Sequence, residues 1–229
     1  MTVEISMTDN IETAAYRKHI AGHTDYPAVS WDSKSRHLEF QLPTHMGLAS
    51  CWSLRLAQRH ALLAGLVAAS QDSDWRCFHA AMSVLSDRRS LVVIGPSGAG
   101  KSTLVRRLGA DARGDEIVAI RHTNGAVSAR GTAVPGELRC EDFSEQPLAA
   151  FILPDHGPSQ KVCVTRLSPA QSLEHLLAAS IRFSSEAILS DWDWLEGLIH
   201  NIPVLRVSWN LIGELPLPAI LAELNTSQR

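Results

Sequence analysis

The stretch Gly95-Pro96-Ser97-Gly98-Ala99-Gly100-Lys101-Ser102-Thr103 constrains the fold of this chain more than any other. It has the spacing Gly-x4-Gly-Lys-Ser of a phosphate-binding P-loop. An apolar run, Leu91-Val92-Val93-Ile94, precedes it, and the helix-capable run Ser102–Leu108 follows it. A strand, a tight loop and a helix are therefore expected in that order. Glycines at 95, 98 and 100 let the backbone turn sharply and bring amide groups close to phosphate oxygens. The start of the helix near Gly100 adds roughly half a positive charge. Lys101 is placed to reach the terminal phosphates, and the Ser102 hydroxyl to face Mg²⁺, with Thr103 beside it. The motif implies binding of a nucleoside triphosphate but leaves the fate of the γ-phosphate open.

A length of 229 residues accommodates a nucleotide-binding core with a small appendage. With 45% apolar and 20% charged residues the composition is that of an ordinary globular protein. The net charge of −3 and the lack of basic blocks argue against nucleic acid as a partner. Cys51, Cys77, Cys140 and Cys163 form neither a Cys-x-x-Cys pair nor a zinc-spaced cluster, so free thiols in a reducing compartment are expected. Residues 1–10 lack the pattern of a secretory signal, and the longest apolar run, Ala61–Ala69, is too short to span a bilayer. A cytoplasmic protein without a membrane partner is the expectation.

Periodicity divides the chain into an N-terminal hairpin-and-helix region, 1–75, and a P-loop domain, 76–229. The first ~15 residues are polar and expected to fray. Ala28–Trp31 and His37–Leu42 alternate around Asp32–Ser35 and predict a hairpin; Trp52–Ala69 has the spacing of an amphipathic helix. Strands are expected over Cys77–Leu85 and Ser90–Ile94, joined by the turn Ser86–Arg89. The Asn124-Gly125 pair predicts a second hairpin between Glu116–Ile120 and Ala126–Arg130. Further strands are expected at Leu148–Leu153, Lys161–Leu167 and Pro203–Trp209. Helices are expected from Ser168, as N-cap, to about Phe183, then at Trp192–His200 and Pro218–Leu224, with Gly109 closing the P-loop helix. The fold class is α/β, with a strand-rich mixed sheet rather than the usual strand–helix alternation.

In their order, Phe78-His79-Ala80-Ala81, the P-loop, Asp115-Glu116, Gly131-Thr132 with Pro135-Gly136-Glu137, Pro147–Ala150 and Arg166–Ala170 resemble the catalytic domain of HPr kinase/phosphorylase. They are closer still to the HPr-kinase-like proteins of peptide-modifying gene clusters, including lasso-peptide kinases. The resemblance covers about residues 77–209, and only the P-loop is specific by itself. It implies an ATP- and Mg²⁺-dependent kinase that phosphorylates a serine of a peptide or protein, and is compatible with a homo-oligomer. A hydroxyl near neutral pH is a poor nucleophile, so a carboxylate base beside the γ-phosphate helps. Asp115 and Glu116 match the family's acidic pair: one is the base, Glu116 by gap-free matching or Asp115 if the first acid matters more, and Asp115 with Ser102 is the candidate metal set. His79 matches a histidine near the phosphates.

Other residues have less specific readings. In a segment that resembles a substrate-side loop, Arg130 is a candidate for clamping phosphate and Glu137 for binding metal, and Arg182 is a candidate for reaching the nucleotide, each with a plain structural alternative. Carboxylates after apolar runs, Asp155 and Asp191, imitate the Mg²⁺-holding strand of ordinary NTPases. The segment Ala110–Gly114 lacks the apolar strand that precedes the family's acidic pair, and a looser segment is expected there. That departure motivates a second reading, a non-catalytic ATP-binding module in a peptide-modification complex. A small-molecule kinase is a third, because acceptor recognition leaves no motif.

Overall fold

A computed structural model describes residues 2–8, 28–32, 37–43, 74–134, 136–138, 141–157, 161–181 and 191–226. The chain divides into two compact units, Met1–Arg76 with Ile181–Ser190, and Cys77–Ser180 with Asp191–Arg229.

In the first unit, β1 (Thr2–Thr8), β2 (Ala28–Asp32) and β3 (His37–Pro43) form a sheet of order β1-β3-β2. The expected hairpin is the antiparallel β2–β3 pair, with Ala28 opposite Gln41 and Asp32 opposite His37. The start of the chain, expected to fray, is instead a strand running parallel to β3. Its sequence alternates Val3, Ile5 and Met7 with polar residues, the period of a strand. The helix expected at Trp52–Ala69 lies outside the described residues.

The second unit is built on a nine-stranded mixed sheet. Its elements are β4 (Trp75–Val84), β5 (Ser90–Ile94), α1 (Lys101–Arg107), β6 (Asp111–Ala112), β7 (Ile117–Thr123), β8 (Ala126–Gly131), β9 (Gln146–His156), β10 (Cys163–Arg166), α2 (Pro169–Ala179), β11 (Ser180–Ile181), α3 (Trp192–Asn201), β12 (Val204–Trp209) and α4 (Pro216–Thr226). The strand order is β10-β12-β9-β5-β4-β7-β8, with β6 and β11 pairing to β4. β5, β9 and β12 run parallel, while β4–β5, β7–β8 and β10–β12 are antiparallel. β8 also pairs with the start of β9, Ser128 opposite Pro147, so the strands from β9 through β5, β4 and β7 to β8 close a circuit.

Alternation along the strands sends side chains to two separate cores. One face carries Phe78, Ala80, Met82, Val92, Ile94, Ile120 and Phe151 against Leu176 of α2 and Leu195 and Leu198 of α3. The other carries Ala81, Leu91, Val93, Ile152, Leu205 and Trp209 against Leu104 and Val105 of α1 and Ile220 and Leu224 of α4. β5 is wholly buried because helices cover both of its faces.

Local chemistry sets the element boundaries. Asn124 (φ 52°) and Gly125 (φ 78°) supply the two left-handed residues of the β7–β8 turn. Gly109, at φ 65°, ends the chain's run beyond the Leu108 cap of α1. Ser168 caps α2 in a reciprocal box with Gln171, and Pro169 opens the helix. That helix stops at Ala179 rather than near Phe183, because Ser180 turns extended and enters β11.

Two further differences bear on the site. Ala110–Gly114 is not loose. Asp111 and Ala112 pair with Val84 and Ser83, the Arg113 amide donates to the Met82 carbonyl (2.8 Å), and the Met82 amide donates to the Gly114 carbonyl (2.8 Å). Its polar sequence hid a strand whose order comes from backbone pairing with β4, not from burying apolar side chains. The strand expected to end at Leu153 continues through Pro154 to His156. β5 has ended by that point and only β12 accompanies β9, so Pro154's missing N–H leaves no ladder bond unmade.

Candidate functional site

The glycine-rich loop leaves the end of β5 and enters α1 at Lys101. Gly95 (φ 144°), Gly98 (φ 80°) and Gly100 (φ 84°) all have positive φ. Gly100 is the N-cap of α1, and its carbonyl accepts the first helical bond from the Leu104 amide at 2.8 Å. Pro96, Ser97 and Gly98 are exposed at the tip, Ala99 is half-buried, and the Ala99 amide donates to the Pro96 carbonyl at 3.2 Å. Ser102 and Thr103 follow in the first turn, half-buried.

Lys101 is buried, and its ammonium lies inside the loop. It donates to the carbonyls of Gly95 (2.9 Å) and Pro96 (3.0 Å) and meets His79 Nε2 at 3.0 Å. Those contacts use all three of its donors. Burial holds the ammonium below the usual lysine range, an effect opposed by the nearby charges of Glu116 and Asp115. His79 reaches the loop because Ala80 on β4 pairs with Ile94, the last residue of β5. Its Nδ1 lies 3.1 Å from the Glu116 carbonyl and 3.8 Å from the Glu116 carboxylate. A carbonyl can only accept and an ammonium can only donate, so these partners fit an imidazole protonated at Nδ1 with Nε2 accepting from Lys101.

The acidic pair sits between β6 and β7, held to β4 by the Ala80 amide, which donates to the Glu116 carbonyl at 3.3 Å. Asp115 is buried; its carboxylate accepts from the Ser102 hydroxyl at 2.7 Å and from the amides of Glu137 (3.2 Å) and Leu138 (3.0 Å). Glu116, whose carboxylate lies toward His79, keeps 22% of its side chain exposed. Thr132, buried, donates to the Ile117 carbonyl at 2.9 Å and ties the following loop to the start of β7.

The structure thus brings together Lys101, Ser102, His79, Asp115 and Glu116. Gly136 joins them, although its sequence context reads only as a turn. A Cβ at Gly136 would lie 1.9 Å from Asp115 Oδ1, so only glycine lets the 137–138 amides reach the carboxylate. The Pro135-Gly136 pair was the one available signal, and it does not name Asp115 as the reason; Pro135 itself lies outside the described residues.

Other candidates lie elsewhere or are otherwise engaged. Glu137's carboxylate pairs with Arg106 at 3.0 Å on the surface. Arg130 lies on β8 opposite Ala119. Asp155 is exposed at the end of β9 and accepts from Ser208 Oγ at 2.8 Å; Ser102 bonds to Asp115 instead. Asp191 is buried at the start of α3, and Arg182 lies outside the described residues. Cys77 and Cys163 take part in no disulfide among the described residues, while Cys51 and Cys140 lie outside the described residues. Among the described residues no helix is long and apolar enough to cross a membrane.

No protein-family model matches the sequence, and no curated protein matches it. Among solved structures the chain is similar to the Hpr(Ser) kinase/phosphatase from Coxiella burnetii, at 13% identity and a TM-score of 0.35, over 67% of this chain and 96% of that one. The residues of the site, not this likeness, carry the functional reading.

Proposed function

We propose that the chain is an ATP-dependent kinase that transfers the γ-phosphate to a serine hydroxyl of a peptide or protein. The observation that carries this reading is the 2.7 Å bond between Ser102 and Asp115, with Glu116 next in sequence and Lys101 within the loop. Hard oxygen donors converging at the start of α1 suit Mg²⁺. Ser102 and Asp115 would hold the ion, Asp115 directly or through water, since three of its lone-pair sites are already taken. Bound Mg²⁺ would neutralise charge developing on the transferred phosphoryl group.

The chain's own groups divide the remaining work. Loop amides and the Lys101 ammonium orient the phosphates once Lys101 exchanges its Gly95 and Pro96 carbonyls for phosphate oxygens. Asp115 is committed to Ser102 and two amides, so Glu116 is the better base for the acceptor hydroxyl. His79 bridges Lys101 and Glu116 and fixes their separation. The paired β6 segment removes the looseness that motivated the binding-module reading.

The test is γ-phosphate transfer from labelled ATP to a serine-containing peptide library with Mg²⁺. Glu116→Gln should bind Mg–ATP normally and lose about 10²–10⁴-fold in transfer rate. Lys101→Ala should lose binding. Wild-type protein that binds ATP but labels no peptide would rule out this acceptor class, and label on a small molecule instead would favour the small-molecule reading.

A further inference from the structure

We propose that His156 is a second phosphate-contacting side chain of the glycine loop, donating from Nε2 to a phosphate oxygen of the bound nucleotide. The proposal rests on the nucleotide reading above and adds a residue to it.

Three observations place the ring. β9 outruns β5 and stays paired with β12, so Asp155 lies opposite Ser208 and His156 opposite Trp209. Asp155 is anchored by the Ser208 hydroxyl at 2.8 Å, and the His156 ring packs on the buried Trp209 ring, centroids 5.4 Å apart and 43° between planes. Held in this way, the imidazole turns its Nε2–Cε1 edge onto Gly100. A Cβ at Gly100 would lie 2.5 Å from Nε2 and 2.9 Å from Cε1. Gly100 is therefore constrained twice, by its positive φ and by the ring against it.

The sheet order makes the placement meaningful. β4 and β9 are the two neighbours of β5. The loop that leaves β5 accordingly has a histidine on each flank: His79 of β4 meets Lys101, and His156 of β9 meets Gly100. These are consecutive residues of the loop. On the β4 side, Nε2 is occupied by the Lys101 ammonium. On the β9 side, neither ring nitrogen of His156 has a hydrogen-bond partner among the described residues, and the residue is exposed. A ring nitrogen at the rim of an anion cradle, held by packing rather than by a polar partner, is poised to donate to phosphate.

The experiment is calorimetric titration with Mg–ADP and with inorganic pyrophosphate, on wild type, His156→Phe, His156→Gln and Lys101→Ala. Phenylalanine keeps an aromatic ring on Trp209 but has no donor; glutamine restores a donor. His156→Phe should weaken both ligands by about tenfold or more, the loss expected for one hydrogen bond to a charged group. His156→Gln should recover most of that loss. Unchanged pyrophosphate binding by His156→Phe overturns the proposal, including the case where only ADP weakens, which would mean the ring stacks on the base. Equal weakening in the Phe and Gln variants also overturns it, by assigning the effect to packing. Failure of folded wild-type protein to bind either ligand overturns the underlying nucleotide reading instead.

Discussion

At the scale of single residues, the site is a set of groups each held by a partner distant in sequence. The placement of Lys101 and Ser102 at the start of α1 was legible because it follows from adjacency within one loop. The Ser102–Asp115 bond spans 13 residues and needed the fold. Gly136 was legible only as part of a Pro-Gly turn; the reason it must be glycine was not, because that requirement comes from a carboxylate on another segment. Gly136→Ala should drive its Cβ into Asp115, 1.9 Å away, and displace that carboxylate from Ser102. The expected cost is about 1–3 kcal/mol of stability, with transfer lost beyond what stability explains. Gly109→Ala is the control: nothing lies within 4 Å of its Cβ position, so only its positive φ is penalised, by about 1–2 kcal/mol, and transfer by the folded fraction is unchanged. Denaturant melts beside transfer rates separate the two. Lys101 makes a pH prediction. Its ammonium is held below the ordinary value of 10.5 by burial, and bound phosphates would raise it again. The protonated form binds better, so Mg–ATP affinity should be flat below the free-protein value and fall as pH rises through it. Affinity independent of pH up to the ordinary lysine range would contradict this.

At the scale of elements, sequence signals worked where the cause is local. The Asn-Gly turn between β7 and β8 and the Ser168 cap of α2 both follow from residues within a few positions of one another. They failed where the cause is a partner strand. β6 forms from a polar stretch because β4 offers it backbone groups, and β9 passes through Pro154 because β5 has already stopped. The local devices carry a simple prediction. Ser168 accepts from the Gln171 amide while the Gln171 side chain accepts from the Ser168 amide. Ser168→Ala should cost about 1 kcal/mol, seen as a lower urea midpoint at unchanged slope. Gln171→Ala should cost less, because it leaves the Ser168 cap in place. A larger loss for Gln171→Ala would mean that this side chain supports something other than the cap.

At the scale of the whole second unit, the mixed sheet was legible as a class but its strand order was not. Apolar runs and turns predict strands and local hairpins; they do not say that β9 inserts between β5 and β12, or that β8 returns to the start of β9. That order matters to the site, because it puts β4 and β9 on the two flanks of the loop strand. It also divides the interior into two cores lying on opposite faces of one sheet. Ile120 of β7 belongs to the core under α2 and α3, Ile220 of α4 to the core under α1, and both are fully buried. Each Ile→Val change should cost about 0.5–1.5 kcal/mol, from the lost methylene and the small cavity left behind. The two sites share no core, so the double variant should cost the sum of the two within about 0.5 kcal/mol. Both single variants should melt in one transition, because the same strands line both cores and neither core can open without uncovering the sheet that supports the other. A coupling well above that margin would mean that strain passes through the sheet, and two separate transitions would mean that the faces unfold independently.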